Sequence, residues 1–212
     1  MSIILALTTV LALVLVGAIR QRKAKPAEQP VLVRRYVHPG HTWTRQTEDG
    51  DVLVGVDDFT QTVIGSVEGV ELPRLLGKVR QGEGAFTLRR GKRSLRLVSP
   101  VTGRVIQKNE MLSGNPSMVN DSPYGDGWLV RVRPARLGLE LRNLLTGAAA
   151  REYLDASKAQ LARIFSGTPA LMYQDGGVMI RGLADRCTDA EWEAVEEELF
   201  LSGPGGQGHT RF

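Results

Sequence analysis

Phe86-Thr87-Leu88-Arg89-Arg90-Gly91-Lys92-Arg93-Ser94-Leu95-Arg96-Leu97-Val98-Ser99-Pro100-Val101-Thr102-Gly103 is a segment rich in strand-like alternation with a basic centre. Phe86 and Leu88 alternate with polar neighbours on the way in, and Leu95 and Leu97 do so on the way out, the period of two expected of half-buried strands. Gly91 marks the turn between them, because glycine enters left-handed backbone without a Cβ clash. The residues alone make 89–96 a solvated basic hairpin. The same cations also suit a binding surface for an acidic partner or anionic lipid, and Lys92 suits a carrier lysine.

The pattern continues on both sides. Val52, Val54 and Val56 alternate, Val63, Gly65 and Val67 do so more weakly, Arg104-Val105-Ile106 follows the turn at 100–103, and residues 128–132 close the region with period two. Many short strands separated by Gly, Pro and Asp turns predict a small barrel or sandwich. A doubly wound nucleotide fold is disfavoured, because no long helices recur here and no GxGxxG or P-loop is present.

Charge is uneven. The formal net charge is +4, yet residues 74–104 hold nine basic side chains (Arg74, Lys78, Arg80, Arg89, Arg90, Lys92, Arg93, Arg96, Arg104) against one acid, Glu83. The stretch lacks the interleaved aromatics that stack on bases, so nucleic acid is not an expected partner. The single cysteine, Cys187, excludes an internal disulfide and a cysteine metal cluster. His38 and His41 flank a Pro39-Gly40 turn with no further ligand nearby, and no metal site is expected. Asp57, Asp58, Glu71, Asp121 and Asp126 suit turns and sheet edges better than an acid–base pair. No serine triad, cysteine nucleophile or HExxH motif appears, so neither an enzyme nor a small-molecule substrate is expected.

Residues 2–19 carry no charge, and Arg20, Arg22, Lys23 and Lys25 follow them. As a helix, 18 residues span about 27 Å, close to the hydrocarbon thickness. Positive charge after the apolar run, with none before it, predicts an uncleaved single-pass anchor in the inner membrane, N-terminus outside and the bulk of the chain cytoplasmic. Residues 21–30, with Pro26 and Pro30, read as a basic tether able to touch anionic headgroups.

A family resemblance emerges from a set of motifs in order. They are Tyr36-Val37-His38-Pro39-Gly40-His41-Thr42-Trp43, Asp51-Val52-Leu53-Val54-Gly55-Val56-Asp57-Asp58, Val70-Glu71-Leu72-Pro73, Gly77-Lys78-Val79-Arg80-Gln81-Gly82-Glu83, Ser99-Pro100-Val101-Thr102-Gly103 and residues 115–129. Together they resemble the H protein of the glycine cleavage system. The resemblance implies a mainly β, lipoyl-like barrelled sandwich with C-terminal helices, here preceded by a transmembrane helix. It further implies lipoate on a hairpin lysine eight residues before the proline of a Pro-Val-Ser-Gly-like turn, and counting back from Pro100 reaches Lys92. The flanks differ from the family's Glu-Ser-Val-Lys-Ala pattern: Arg89 replaces the glutamate, Gly91 the valine, and Arg96 a usually acidic position. Arginine in place of acid reverses the local potential and repels a ligase complementary to the family pattern.

Beyond the hairpin, residues 139–145 and 148–165 have helical character, with Leu154, Leu161 and Ile164 as an apolar stripe. Val178-Met179-Ile180 is a short strand candidate. Thr188-Asp189-Ala190-Glu191 has capping-box spacing, and Trp192, Val195 and Leu199 form one face of an acidic helix that folds back on the central domain or docks to another subunit. The expected organisation is an anchor at 1–20, a tether at 21–30, an H-protein-like domain at 31–154, an α/β extension at 155–201 and a tail at 202–212. The expected role is noncatalytic: an accessory subunit of a larger, respiratory or photosynthetic, membrane complex, without a cofactor. Contacts to that complex or to anionic lipid fall on Arg20, Arg22, Lys23, Lys25, Arg89, Arg90, Arg93 and Arg96. The alternative is a membrane-tethered lipoyl carrier using Lys92.

Overall fold

The structure, a computed structural model, describes residues 34–165, 173–174, 178–179 and 181–201. The expected anchor and tether, with Arg20, Arg22, Lys23 and Lys25, and the expected tail lie outside the described residues. Among those that are described, no helix is long and apolar enough to cross a membrane.

Two antiparallel sheets enclose the core. The larger has strand order β1-β2-β3-β9-β8-β5, built from β1 (Arg35–Val37), β2 (Thr42–Gln46), β3 (Val52–Val56), β5 (Lys78–Val79), β8 (Gly103–Lys108) and β9 (Val130–Pro134). The smaller, β4-β6-β7, comprises β4 (Gly69–Glu71), β6 (Gly84–Arg90) and β7 (Arg93–Val98). Val52, Val54, Val105, Val130 and Val132 from the first sheet and Phe86, Leu88, Leu95 and Leu97 from the second are buried in one cluster. The alternation read from 86–97 is therefore the core face of the smaller sheet, as the pleat requires.

The expectation of weak strand character through Val63, Gly65 and Val67 is corrected: Asp58–Ile64 is a helix, α1. Asp57 caps it, its carboxylate accepting from the Thr60 N–H, and this local hydrogen bond at the N-terminus outweighs a weak period-two pattern. The other Asp57 oxygen meets His41 Nδ1 at 2.8 Å, with both side chains fully buried. Burial lowers the pKa of His38 to about 4, and its neutral Nδ1 accepts the Gly40 N–H. These polar groups knit the turn at 38–41 to the head of α1. Among the described residues, no group of three or more His, Cys, Asp or Glu side chains is placed to hold a metal ion.

The C-terminal helices match the apolar stripes. Helix α2, Gly147–Ile164, buries Leu161 in the main core and packs Leu154 and Ile164 against it, running without a break across residue 154. A two-residue pair, β10 (Tyr173–Gln174) and β11 (Val178–Met179), follows. Helix α3, Asp189–Val195, has the full capping box between Thr188 and Glu191. A π-helical turn at Glu196–Leu201 continues it. Trp192, Val195, Leu199 and Phe200 are all buried in the main core. The acidic helix thus folds back on the central domain.

Candidate functional site

Lys92 stands at the tip of the β6–β7 hairpin. Arg90 pairs with Arg93, leaving Gly91 and Lys92 as a two-residue turn. Gly91 has φ 51°, and the tight turn needs that left-handed backbone. Its N–H donates to Glu68 Oε2 at 2.8 Å, which holds the turn against the end of β4.

Arg90 and Arg93 lie directly opposite one another, a repulsive cross-strand arrangement unless acids intervene. The C-terminal segment supplies them. Arg90 Nε donates to Asp185 Oδ2 at 2.7 Å, and Arg90 Nη1 to the Ser66 carbonyl at 3.0 Å. Arg93, only 9% exposed, reaches Asp189 Oδ1 at 2.7 Å. Its other terminal nitrogen donates to the Cys187 carbonyl at 2.9 Å, and its guanidinium lies 5.8 Å from the Trp192 ring centroid. Trp192 Nε1 donates to the Ser94 carbonyl at 3.1 Å, and the Arg96 N–H donates to Glu196 Oε1 at 2.9 Å. On the outer face Arg89 bonds Glu71. The segment 185–196 is in effect a clasp along strand β7.

A close backbone approach seats this clasp. Gly182 N donates to the Thr62 carbonyl of α1 at 2.9 Å, and a Cβ on Gly65 would lie 2.7 Å from the Gly182 Cα. Cys187 is buried and free, and burial pushes its thiol pKa up, which keeps it protonated and unreactive.

The ion pairs shift their carboxylates. The Arg90 hydrogen bond holds Asp185 below its ordinary range, and the Lys92 hydrogen bond, followed by the Lys92 and Arg93 charges, does the same for Asp189. Lys92 itself stays in solvent. Its side chain is 77% exposed, and Nζ lies 3.2 Å from Asp189 Oδ1 on a side chain 79% exposed. A pair so exposed is screened by solvent and leaves the amine free to move.

The structure therefore brings Arg90, Lys92 and Arg93 together with acids that the sequence reading treated separately. Asp185, Asp189 and Glu196 contact the hairpin and were not among the expected site residues. Their signal was present as the complementarity between a basic hairpin at 89–96 and an acidic run at 189–198.

The family profile described as "Glycine cleavage H-protein" matches residues 34–157. The chain belongs to the glycine cleavage H-protein family. Among its relatives, a glycine cleavage system H protein from Marinobacter nauticus is 40% identical over 118 residues, 56% of this chain and 90% of that protein. A probable glycine cleavage system H protein from Pyrococcus abyssi is 36% identical over 119 residues, 56% of this chain and 88% of that one. A crystal structure of a glycine cleavage system H protein from Mycobacterium marinum aligns with TM-score 0.48 and 26% identity, over 57% of this chain and 94% of its own. The clasp lies C-terminal to the matched region, so in this family member the hairpin is contacted by a segment outside the H-protein portion.

Proposed function

We propose that this chain is a noncatalytic carrier of the lipoyl type, with Lys92 as the attachment lysine and the domain tethered to the inner membrane by residues 2–19. One observation supports the reading above all: Lys92 occupies the apex of a two-residue turn, with its amine in solvent. The arginines at 89, 90 and 93 do not present a bare positive field to a ligase, because Glu71, Asp185 and Asp189 lie against them. Carboxylates from β4 and the clasp thereby place negative charge beside a hairpin that has arginines of its own.

The residues fit such a group. Lys92 is exposed, and nothing lies within 4 Å of where a Cβ on Gly91 would stand, so the turn leaves space for a covalent arm. Lipoate, when attached, supplies a dithiolane on a long flexible arm that exchanges groups at partner active sites. The chain's own contribution is placement: the sheet fixes the hairpin, the clasp fixes its flank, and an anchor raises the local concentration of the arm near membrane-held partners.

A second reading, a noncatalytic accessory subunit of a larger membrane complex, draws on the clasp itself. In it the hairpin serves as an internal docking strip for 185–196, and Lys92 with Asp189 is one more rim contact. Incubation of the full chain with a lipoate ligase, lipoate and ATP separates the two. Modification that is abolished by Lys92→Arg is expected. A chain left unmodified while an H protein in the same tube is converted favours the accessory subunit.

A further inference from the structure

Four residues before β5, the chain makes a turn that breaks two local rules at once. Leu75 and Leu76 are 55% and 60% exposed, and Leu76 has φ 62°, a left-handed conformation that leucine rarely adopts. The turn is nevertheless firmly built. Leu76 N donates to the Val105 carbonyl at 2.8 Å, Val105 N to the Gly77 carbonyl at 2.9 Å, and Gly77 N to the Arg74 carbonyl at 2.9 Å. Two apolar side chains are thus held out in water by an ordered backbone. Glycine or asparagine would satisfy the turn at less cost, so packing and backbone preference do not explain leucine here.

Cations surround the pair. Arg74 precedes it and Lys78 follows it, both exposed. Lys78 pairs in register with Arg104, which pairs with Arg133, so three cations stand in one row across β5, β8 and β9. Arg133 shares Asp51 with Arg131, while Arg74, Lys78 and Arg104 have no acid partner among the described residues. An apolar tip ringed by unneutralised cations has the chemistry that seats on an anionic bilayer: the leucines enter the headgroup–acyl boundary and the cations meet lipid phosphates.

We propose that the 74–78 turn, with Arg104, is a peripheral docking surface for anionic membrane. It deepens the membrane reading above and rests on that reading for its high local lipid concentration. Strand β4 pairs Gly69 with Arg89 near the hairpin tip and Glu71 with Thr87 further from it, so the chain enters this turn running away from Lys92. Docking through the leucines leaves the Lys92 tip directed away from the docked end.

The test uses the full chain in nanodiscs of phosphatidylcholine alone or mixed with phosphatidylglycerol. An environment-sensitive fluorophore is attached through Leu75→Cys in a Cys187→Ser background, with a label at Lys158→Cys on α2 as control. Nitroxide lipids are expected to quench the Leu75 label strongly in anionic nanodiscs and several-fold less in neutral ones. Lys78→Glu with Arg104→Glu should reduce the anionic-nanodisc quenching roughly tenfold, since each cation near such a surface carries a substantial share of the attraction. Equal quenching at both label sites, or no dependence on lipid charge, overturns the proposal. Shielding seen only in native membranes assigns the surface to a protein partner and also overturns it. If the chain proves soluble, the anchor fails separately, and cosedimentation with phosphatidylglycerol vesicles then decides: binding lost in Leu76→Asn supports the surface, and absence of binding by the unaltered chain overturns it.

Discussion

At the hairpin tip, Arg89, Arg90 and Arg93 each meet a carboxylate of the same chain, whereas Arg74, Lys78 and Arg104 around the 74–77 turn meet none among the described residues. Both regions belong to one basic stretch of sequence, yet their cations are partnered differently. Where cations are matched internally, they position a segment of chain. Where they ring two exposed leucines and stay unmatched, they are free for an external anion. Basic composition is therefore a weak guide to a binding surface until the acids that fold onto it are known.

The largest difference between the two regions is expected at Trp192. Its indole is buried and bonded to the Ser94 carbonyl, so Trp192→Ala should cost about 3 kcal/mol and speed amide exchange through 181–201, leaving exchange at the 74–77 turn unchanged. Uniform loss of protection across both regions would show that the clasp and sandwich are one cooperative unit.

Acid offers a smaller and reversible effect. Asp185 and Asp189 have folded pKa values below their ordinary 3.8, so their contribution is complete above that value and is lost as pH falls through the lower, folded values. Hydrogen exchange at 185–196 should rise below about pH 4 in the unaltered chain. Asp189→Asn should flatten part of that dependence, because its neutral amide has no proton to gain.

The least effect on stability is expected at the other region. Leu76→Asn replaces an exposed leucine at φ 62° by a residue at ease there, so unfolding free energy should move by no more than about 0.5 kcal/mol. A large destabilisation would mean that the turn's leucines serve the fold and not an outside surface.

Much of this fold was legible from short-range patterns. Phe86, Leu88, Leu95 and Leu97 alternate and line the core, Leu154, Leu161 and Ile164 mark one face of α2, and Thr188 with Glu191 announces α3. Misread was 63–67, where the capping carboxylate of Asp57 starts a helix that apolar spacing alone resembles a strand. The site was legible at Lys92 and hidden at its neighbours. Arg90 and its partner Asp185 are 95 residues apart, and long-range packing, including Gly182 against α1 and Trp192 against Ser94, brings the acids to the hairpin.

The carrier proposal stands on a solvent-facing Lys92, on a hairpin whose Arg89, Arg90 and Arg93 are paired with carboxylates of the same chain. The most direct measurement is the mass of the peptide containing Lys92, from protein purified out of its native cells. A lipoyl adduct localised to Lys92 is expected. Unmodified lysine alone, in cells whose other lipoyl carriers are modified, would contradict it.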